Sequence, residues 1–261
     1  MPGTARAPRR IQILGVPVDV VSPDEALRRA WSLADRAAPG RPALVFTPNP
    51  ELVMRAQTDA QLRAVAGEAD LCLPDGVGVV WAARREGAGI AGPVPGVEFM
   101  HSLLARAAAE GRSVYLLGAR PEVVAEAAAR ARSLFPGLRV AGAADGYFAA
   151  RGGEAEAVRA VAASGAELLF VGMGVPAQEL FLGRHRGDLG AVRLAMGVGG
   201  SFDVLAGVRF RAPAVVRRAG LEWLWRLLRE PWRWRRQLAL PRFVAAVLRA
   251  GSGGNAGDRA P

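Results

Sequence analysis

The chain has 261 residues, about half of them apolar, and its 34 arginines (there is no lysine) against 24 acids give a net charge of +10. That size and composition suit one large domain, or a domain with an appendage, built around a real core. A single cysteine, Cys72, excludes an internal disulfide and fits a reducing compartment, and no run approaches the ~18 apolar residues of a membrane span.

The charge is unevenly placed. Residues 1–206 carry 22 Arg against 21 acids, whereas residues 207–261 carry 12 Arg against three. The body is electrically ordinary, and the tail is expected to seek an anionic partner. Arg6, Arg9 and Arg10 precede an apolar stretch that breaks at Asp19 without a small-residue cleavage site, so no signal peptide is expected.

In chain order, residues 1–10 read as a loose arm, and 11–14 and 16–21 as short strands about Gly15. Ser22-Pro23-Asp24-Glu25 predicts a helix start, with Ser as N-cap, Pro at the first position and Glu at the third. That helix runs to about residue 37, and a strand follows at 43–46. Helices at 50–57 and 59–67 lead to the octet Leu71-Cys-Leu-Pro-Asp75-Gly-Val-Gly78. Its first three residues read as the end of a strand that Pro74 stops. Gly76 and Gly78 are expected to leave the backbone open to a ligand before a helix at 77–86.

Beyond the octet, helices at 97–110, 121–134, 153–163 and 176–186 alternate with strands at 113–117, 138–141, 167–171 and 192–196. Apolar strand runs separated by helices predict an α/β fold, a mainly parallel, Rossmann-like sheet with helices on both faces. A C-terminal helical appendage follows, giving a core over 1–206, an Arg/Trp-rich segment over 207–250 and a disordered end over 251–261. In such sheets ligands bind beyond the carboxyl ends of the strands. The loops there are 47–51, 74–78, 118–120, 172–179 and 197–203, which hold nearly all the glycine-plus-polar clusters of the body. Gly87-Ala-Gly89-Ile-Ala-Gly92 matches the dinucleotide fingerprint but follows a helix, so no nicotinamide cofactor is expected.

Each polar cluster has an ordinary and a functional reading. Asp75 is either the N-cap of the helix after it or a general base at the mouth of a cleft. Thr47-Pro-Asn49 is a turn and cap, or a pair of side chains that binds sugar hydroxyls. Gly172-Met-Gly174-Val-Pro176-Ala-Gln178-Glu179 is a strand-to-helix turn with a solvated polar pair, or an anion site whose first helical turn faces the ligand. Gly197-Val-Gly199-Gly200-Ser-Phe-Asp203 is a capped turn, or a pyrophosphate cradle in which Asp203 accepts from ribose hydroxyls. His101, His185 and Cys72 read as structural, and no cluster has zinc spacing. No D-x-D pair is present, which favours a site without metal.

From Arg217 to Arg236 the tail holds four of the six tryptophans. Pro231 is expected to split it into two helices. Arg226, Arg229, Arg233 and Arg236 are spaced three, four and three apart and share one helical face. Arg with Trp on an amphipathic segment fits a membrane surface, with a protein interface or a nucleic-acid patch as alternatives.

Taken together, Thr47-Pro-Asn49-Pro-Glu51, Pro74-Asp75-Gly76-x-Gly78, Gly172-x-Gly174-x-Pro176-x-Gln178-Glu179, Gly199-Gly200-x-Phe202-Asp203-x-x-Ala206-Gly207, Arg211-Ala-Pro213 and Gly220-Leu-Glu-Trp223 through Arg235-Arg236 resemble the WecG/TagA/CpsF glycosyltransferase family, in the family's order. The resemblance implies an inverting, metal-independent transferase that needs no cofactor. It would move N-acetylmannosamine from UDP to the 4-hydroxyl of GlcNAc-diphospho-undecaprenol, in wall teichoic acid linkage; other members use N-acetylmannosaminuronic acid or glucose. By matching position Asp75 is the base, Thr47, Asn49 and Gln178 line the sugar site, and Asp203 falls in the nucleotide region. Arg226, Arg233 and Arg236 match the arginines that meet the lipid diphosphate at the inner face of the cell membrane. The resemblance leaves a homo-oligomer open. One segment departs: Pro93-Val-Pro-Gly96-Val-Glu98 stands where the family has Arg-Val-x-Gly-x-Asp, so either Arg84, Arg85 or a tail arginine replaces the missing one or activity is reduced. A nucleic-acid-binding α/β protein is the alternative from another class.

Overall fold

A computed structural model describes residues 9–38, 40–148, 152–210, 212–213, 215–216, 221–229 and 238–253, with the backbone alone at 226 and 251–253. The chain opens with a hairpin, β1 (Arg10–Ile13) and β2 (Val16–Asp19), which pairs antiparallel as a sheet of its own. Helix α1 (Pro23–Arg36) starts as its sequence predicts: Ser22 Oγ accepts the Glu25 N–H at 3.2 Å. Then come β3 (Ala43–Phe46), α2 (Pro50–Ala56), α3 (Ala60–Gly67), β4 (Leu71–Cys72), α4 (Val77–Arg85) and α5 (Gly96–Glu110). They are followed by β5 (Ser113–Gly118), α6 (Pro121–Leu134), β6 (Arg139–Ala144), α7 (Glu154–Ala163), β7 (Leu168–Gly172), α8 (Ala177–Arg184), β8 (Leu194–Gly197) and α9 (Ser201–Leu205). Two C-terminal helices, α10 (Glu222–Arg229) and α11 (Ala239–Gly253), complete the described chain. The last of these runs through the point where a disordered end is expected to begin.

Strands β3 to β8 form one parallel sheet in the order β4-β3-β8-β7-β5-β6. The alternation of side chains along each strand divides two cores. Val45, Leu116, Phe170 and Met196 face α1, α5, α6 and α9. Leu44, Leu117, Val171 and Ala195 face the other way, towards α7 and α8. A third core joins the hairpin to α2, α3, α4 and α11, where Phe243 is fully buried.

The β4 edge is closed by an ion pair between the buried Asp19 and the solvent-exposed Arg10. The Asp19 carboxylate accepts from Arg10 at 2.8 Å on each oxygen and from the Cys72 N–H at 2.7 Å. Arg10 also donates to the Ala69 and Asp70 carbonyls, so the hairpin covers an edge that would otherwise invite pairing. Burial pushes the neighbouring Cys72 thiol up to about 12, so it is a core residue and not a nucleophile.

Candidate active site

The carboxyl ends of all six strands open into one cleft of about 1150 Å³. Its wall takes Thr47 and Asn49 from beyond β3, Asp75 from beyond β4, and Arg120 from beyond β5. Tyr147 follows β6, Gly174 and Gln178 follow β7, and Gly199 and Gly200 follow β8. This crowding has a topological cause. Insertion of β3 between β4 and β8 brings residues 47, 75 and 199 to adjacent strand ends, although they are far apart in sequence.

At the floor, β5 and β7 run in register at Gly118 and Gly172. A Cβ on Gly118 would lie 2.5 Å from the Gly172 carbonyl oxygen, and its φ of +131° is itself closed to side-chain-bearing residues. The octet differs from its ordinary reading. The N-cap of α4 is Gly76, at φ +83° and with no side chain to cap it, so Asp75 stands one residue ahead of the N-cap position. The half-buried Asp75 instead stands on a loop whose N–H donates to the Pro48 carbonyl at 3.0 Å. This bond ties the Asp75 loop to the Thr47–Asn49 loop. Space is open at Gly76, but at Gly78 it is filled by Pro50 and Leu240, so only the first glycine leaves the backbone accessible. Asn49 does cap its helix: its Oδ1 accepts the Leu52 N–H at 3.0 Å while the residue lines the cleft.

Gln178 and Glu179 are not a solvated pair. They are 3 % and 1 % exposed. Gln178 Oε1 accepts the Gly174 N–H at 3.1 Å and the Gly199 N–H at 2.9 Å, bridging the loops after β7 and β8. Its Nε2 donates to Glu179 Oε1 at 2.8 Å. Burial pushes the Glu179 carboxyl up to about 7; the Gln178 and backbone N–H groups pull it down, and the Glu51 charge pushes it further up.

The cleft is rich in carboxylates and poor in described cations. Glu51, Asp75, Glu98, Glu179, Asp203 and Glu222 line it, against Arg120 and Arg209 among the described residues. Arg209 NH1 lies 3.8 Å from Asp203 Oδ2, and both side chains lie against Gly200. Arg84 donates to the Ile90 and Ala91 carbonyls, and neither it nor Arg85 lines the cleft that Pro93 borders. Among the described residues no three His, Cys, Asp or Glu side chains converge to hold a metal ion. Arg233 and Arg236 lie outside the described residues, as does the side chain of Arg226.

Comparison with known proteins is decisive here. The family model described as "Glycosyl transferase WecG/TagA/CpsF family" matches residues 11–256. The chain belongs to the WecG/TagA/CpsF glycosyltransferase family. Two of its relatives carry the name N-acetylglucosaminyldiphosphoundecaprenol N-acetyl-beta-D-mannosaminyltransferase. The one from Bacillus spizizenii strain W23 is 39% identical over 207 residues, which is 79% of each chain. The one from Bacillus subtilis strain 168 is 33% identical over the same share.

Among the cleft residues of this WecG/TagA/CpsF chain that escape sequence reasoning are Gly146, Tyr147 and Arg209. The strand over 138–141 reads too short because Gly142-Ala-Ala144 has weak β preference. It ends at Ala144, which puts Gly146 and Tyr147 at its carboxyl end. Arg209 lies outside every strand-end loop and reaches the cleft because its N–H bonds back to the Asp203 carbonyl at 2.9 Å.

Proposed function

We propose that this chain transfers N-acetylmannosamine from its UDP conjugate to the 4-hydroxyl of GlcNAc-diphospho-undecaprenol, with inversion and without a metal ion. The observation that carries the reading is the meeting of Asp75, Thr47, Asn49 and Gln178 in one cleft at the edge of a parallel sheet. The names of the two Bacillus relatives supply the sugar and the lipid acceptor. Asp75 takes the acceptor's hydroxyl proton as that oxygen attacks C1 of the donor sugar. The C1–O bond to UDP breaks on the opposite face, and its electron pair leaves with the diphosphate. Arg209 and Arg120, which line the cleft with Gly199 and Gly200, offer positive potential where that charge develops.

The acceptor is lipid-bound, and the C-terminal part fits a peripheral role at the inner face of the cell membrane. Among the described residues no helix is long and apolar enough to cross a membrane. Val208, Phe210, Val215 and Leu228 are exposed, Phe210 at 83 %, and Arg229 stacks 5.0 Å over the Trp225 ring. Tail arginines closing on the lipid diphosphate would offset a cleft short of cations. The carboxylate-lined wall argues against a polyanion lying along it, and hence against the nucleic-acid reading.

The test is a panel of UDP-sugars with a GlcNAc-diphospholipid acceptor, run on the native chain and on Asp75→Asn. Turnover is expected with the N-acetylmannosamine donor, and a loss of roughly 10²-fold or more in the variant, with UDP binding retained. Near-normal turnover in Asp75→Asn would remove Asp75 as the base. A preference for the uronate or glucose donor would change the sugar but not the chemistry.

A further inference from the structure

Gly96 is the first residue of α5, is buried, and has a backbone conformation open to any residue. The helix gives no reason for glycine there, because alanine is the better helix former. The turn before it gives none either, since Pro95 holds the N-cap position. The space beside it does. A Cβ on Gly96 would lie 3.3 Å from both Cγ2 and Oγ1 of Thr47 and 3.7 Å from its Cβ, and no other atoms would be nearer. Relaxed contacts between such atoms need about 3.5–4.0 Å, so a methyl here would push the Thr47 side chain away by a few tenths of an ångström.

The contact closes a triangle of loops. The Asp75 N–H donates to the Pro48 carbonyl at 3.0 Å, which joins the loop after β4 to the loop after β3. The Val94 N–H donates to the Pro74 carbonyl at 2.7 Å, which joins the segment entering α5 to the loop after β4. Gly96 against Thr47 joins that same segment to the loop after β3. Each of the three is thus held by the other two. The segment entering α5 is itself fixed, because Val94 is buried in one core with Leu73, Phe99 and Met100. Thr47, Asp75 and Gly96 all line the cleft. The spacing of the Thr47 and Asp75 side chains is therefore set by three backbone segments and by the bare position at 96.

We propose that Gly96 is a positioning residue for the sugar: the lack of a side chain lets Thr47 keep the place from which it meets the ligand, at a fixed separation from Asp75. The proposal rests on the transferase reading, in which Thr47 binds the sugar and Asp75 takes the acceptor's proton. It also gives a role to Pro93-Val-Pro-Gly96, the segment that departs from the family pattern. The bond from the Val94 N–H and the room at Gly96 make no use of the side chain at 93.

The experiment measures kcat/KM for the UDP-sugar that the native chain turns over, UDP affinity by calorimetry, and thermal unfolding. The proteins are the native chain, Gly96→Ala, Thr47→Ser and the double variant. Gly96→Ala should lower kcat/KM roughly tenfold, since a misplacement of about 1 Å costs on the order of 10²-fold and this one is smaller. UDP lacks the sugar, so its affinity should hold. The unfolding midpoint should stay within about 2 °C of the native value, because an alanine here strains no backbone. Thr47→Ser keeps the hydroxyl and removes Cγ2, one of the two crowded atoms, so the side chain can turn clear of the methyl. Made in the Thr47→Ser background, Gly96→Ala should therefore cost less than about threefold.

Native kcat/KM in Gly96→Ala would overturn the proposal. So would an equal loss in the Thr47→Ser background, which would mean that the ligand needs the bare backbone of Gly96 itself. Weakened UDP binding, or a midpoint lowered by more than about 2 °C, would assign the loss to a wider rearrangement and overturn it too. A native chain inert with every UDP-sugar would sink the transferase reading, and this inference with it. An active native chain with any of the other results would sink the inference alone.

Discussion

Replacing Gln178 with leucine removes the bridge between the loops after β7 and β8 while keeping the size of the side chain. Three hydrogen bonds disappear, to the Gly174 N–H, the Gly199 N–H and Glu179 Oε1. The two glycines are only partly buried, so water can reach their N–H groups, and each loss costs about 1 kcal/mol. Glu179 is 1 % exposed, so its oxygen stays unsatisfied, at about 2 kcal/mol. The leucine gains apolar burial worth about 1 kcal/mol. The net destabilisation is therefore about 3 kcal/mol. With a urea slope of about 3 kcal/mol/M, the unfolding midpoint should fall by about 1 M. Amide exchange should quicken at Gly174 and Gly199 in particular, and the donor KM should rise, because the glycine loops no longer hold their spacing. A midpoint shift under about 0.3 M, with both glycine amides still protected, would refute the idea that this side chain holds the cleft together.

Three further outcomes follow from the same geometry. Arg209→Ala should weaken UDP binding about tenfold by calorimetry, the worth of one charge-assisted hydrogen bond, and an unchanged affinity would place the leaving diphosphate elsewhere. Asp19→Ala leaves the buried Cys72 N–H without its acceptor while the exposed Arg10 rehydrates, and should cost about 2 kcal/mol by urea unfolding; a cost under about 0.5 kcal/mol would show that the hairpin is held by packing alone. Because the folded chain keeps the Glu179 proton to about pH 7 while the unfolded chain loses it near 4.5, stability should fall by about 3 kcal/mol as pH rises between those values. Glu179→Gln should lack that component, and a wild-type slope in this variant would assign the titration to another group.

Local chemistry made most of the framework legible. The strand over 43–46 and the helix over 121–134 have the bounds read from sequence, and Ser22 caps α1, because periodicity and capping act within a few residues. The roles of single side chains were less legible. Asp75 before a helix reads as a cap from neighbours alone, yet a glycine at φ +83° takes that place. Gln178 and Glu179 read equally well as solvated, and their burial depends on loops contributed by β7 and β8.

By itself the sequence determined the alternation of strands and helices, the strand ends where polar residues gather, and the concentration of arginine and tryptophan near the C-terminus. Those features are written in spacing and composition, which need no partner from elsewhere in the chain. Only the tertiary structure decided that β3 lies between β4 and β8, that Arg209 reaches the cleft while Arg84 does not, and that Glu179 is sealed from water beside Glu51. Strand order, burial and the field at a carboxyl group are sums over residues distant in sequence, so no local window contains them.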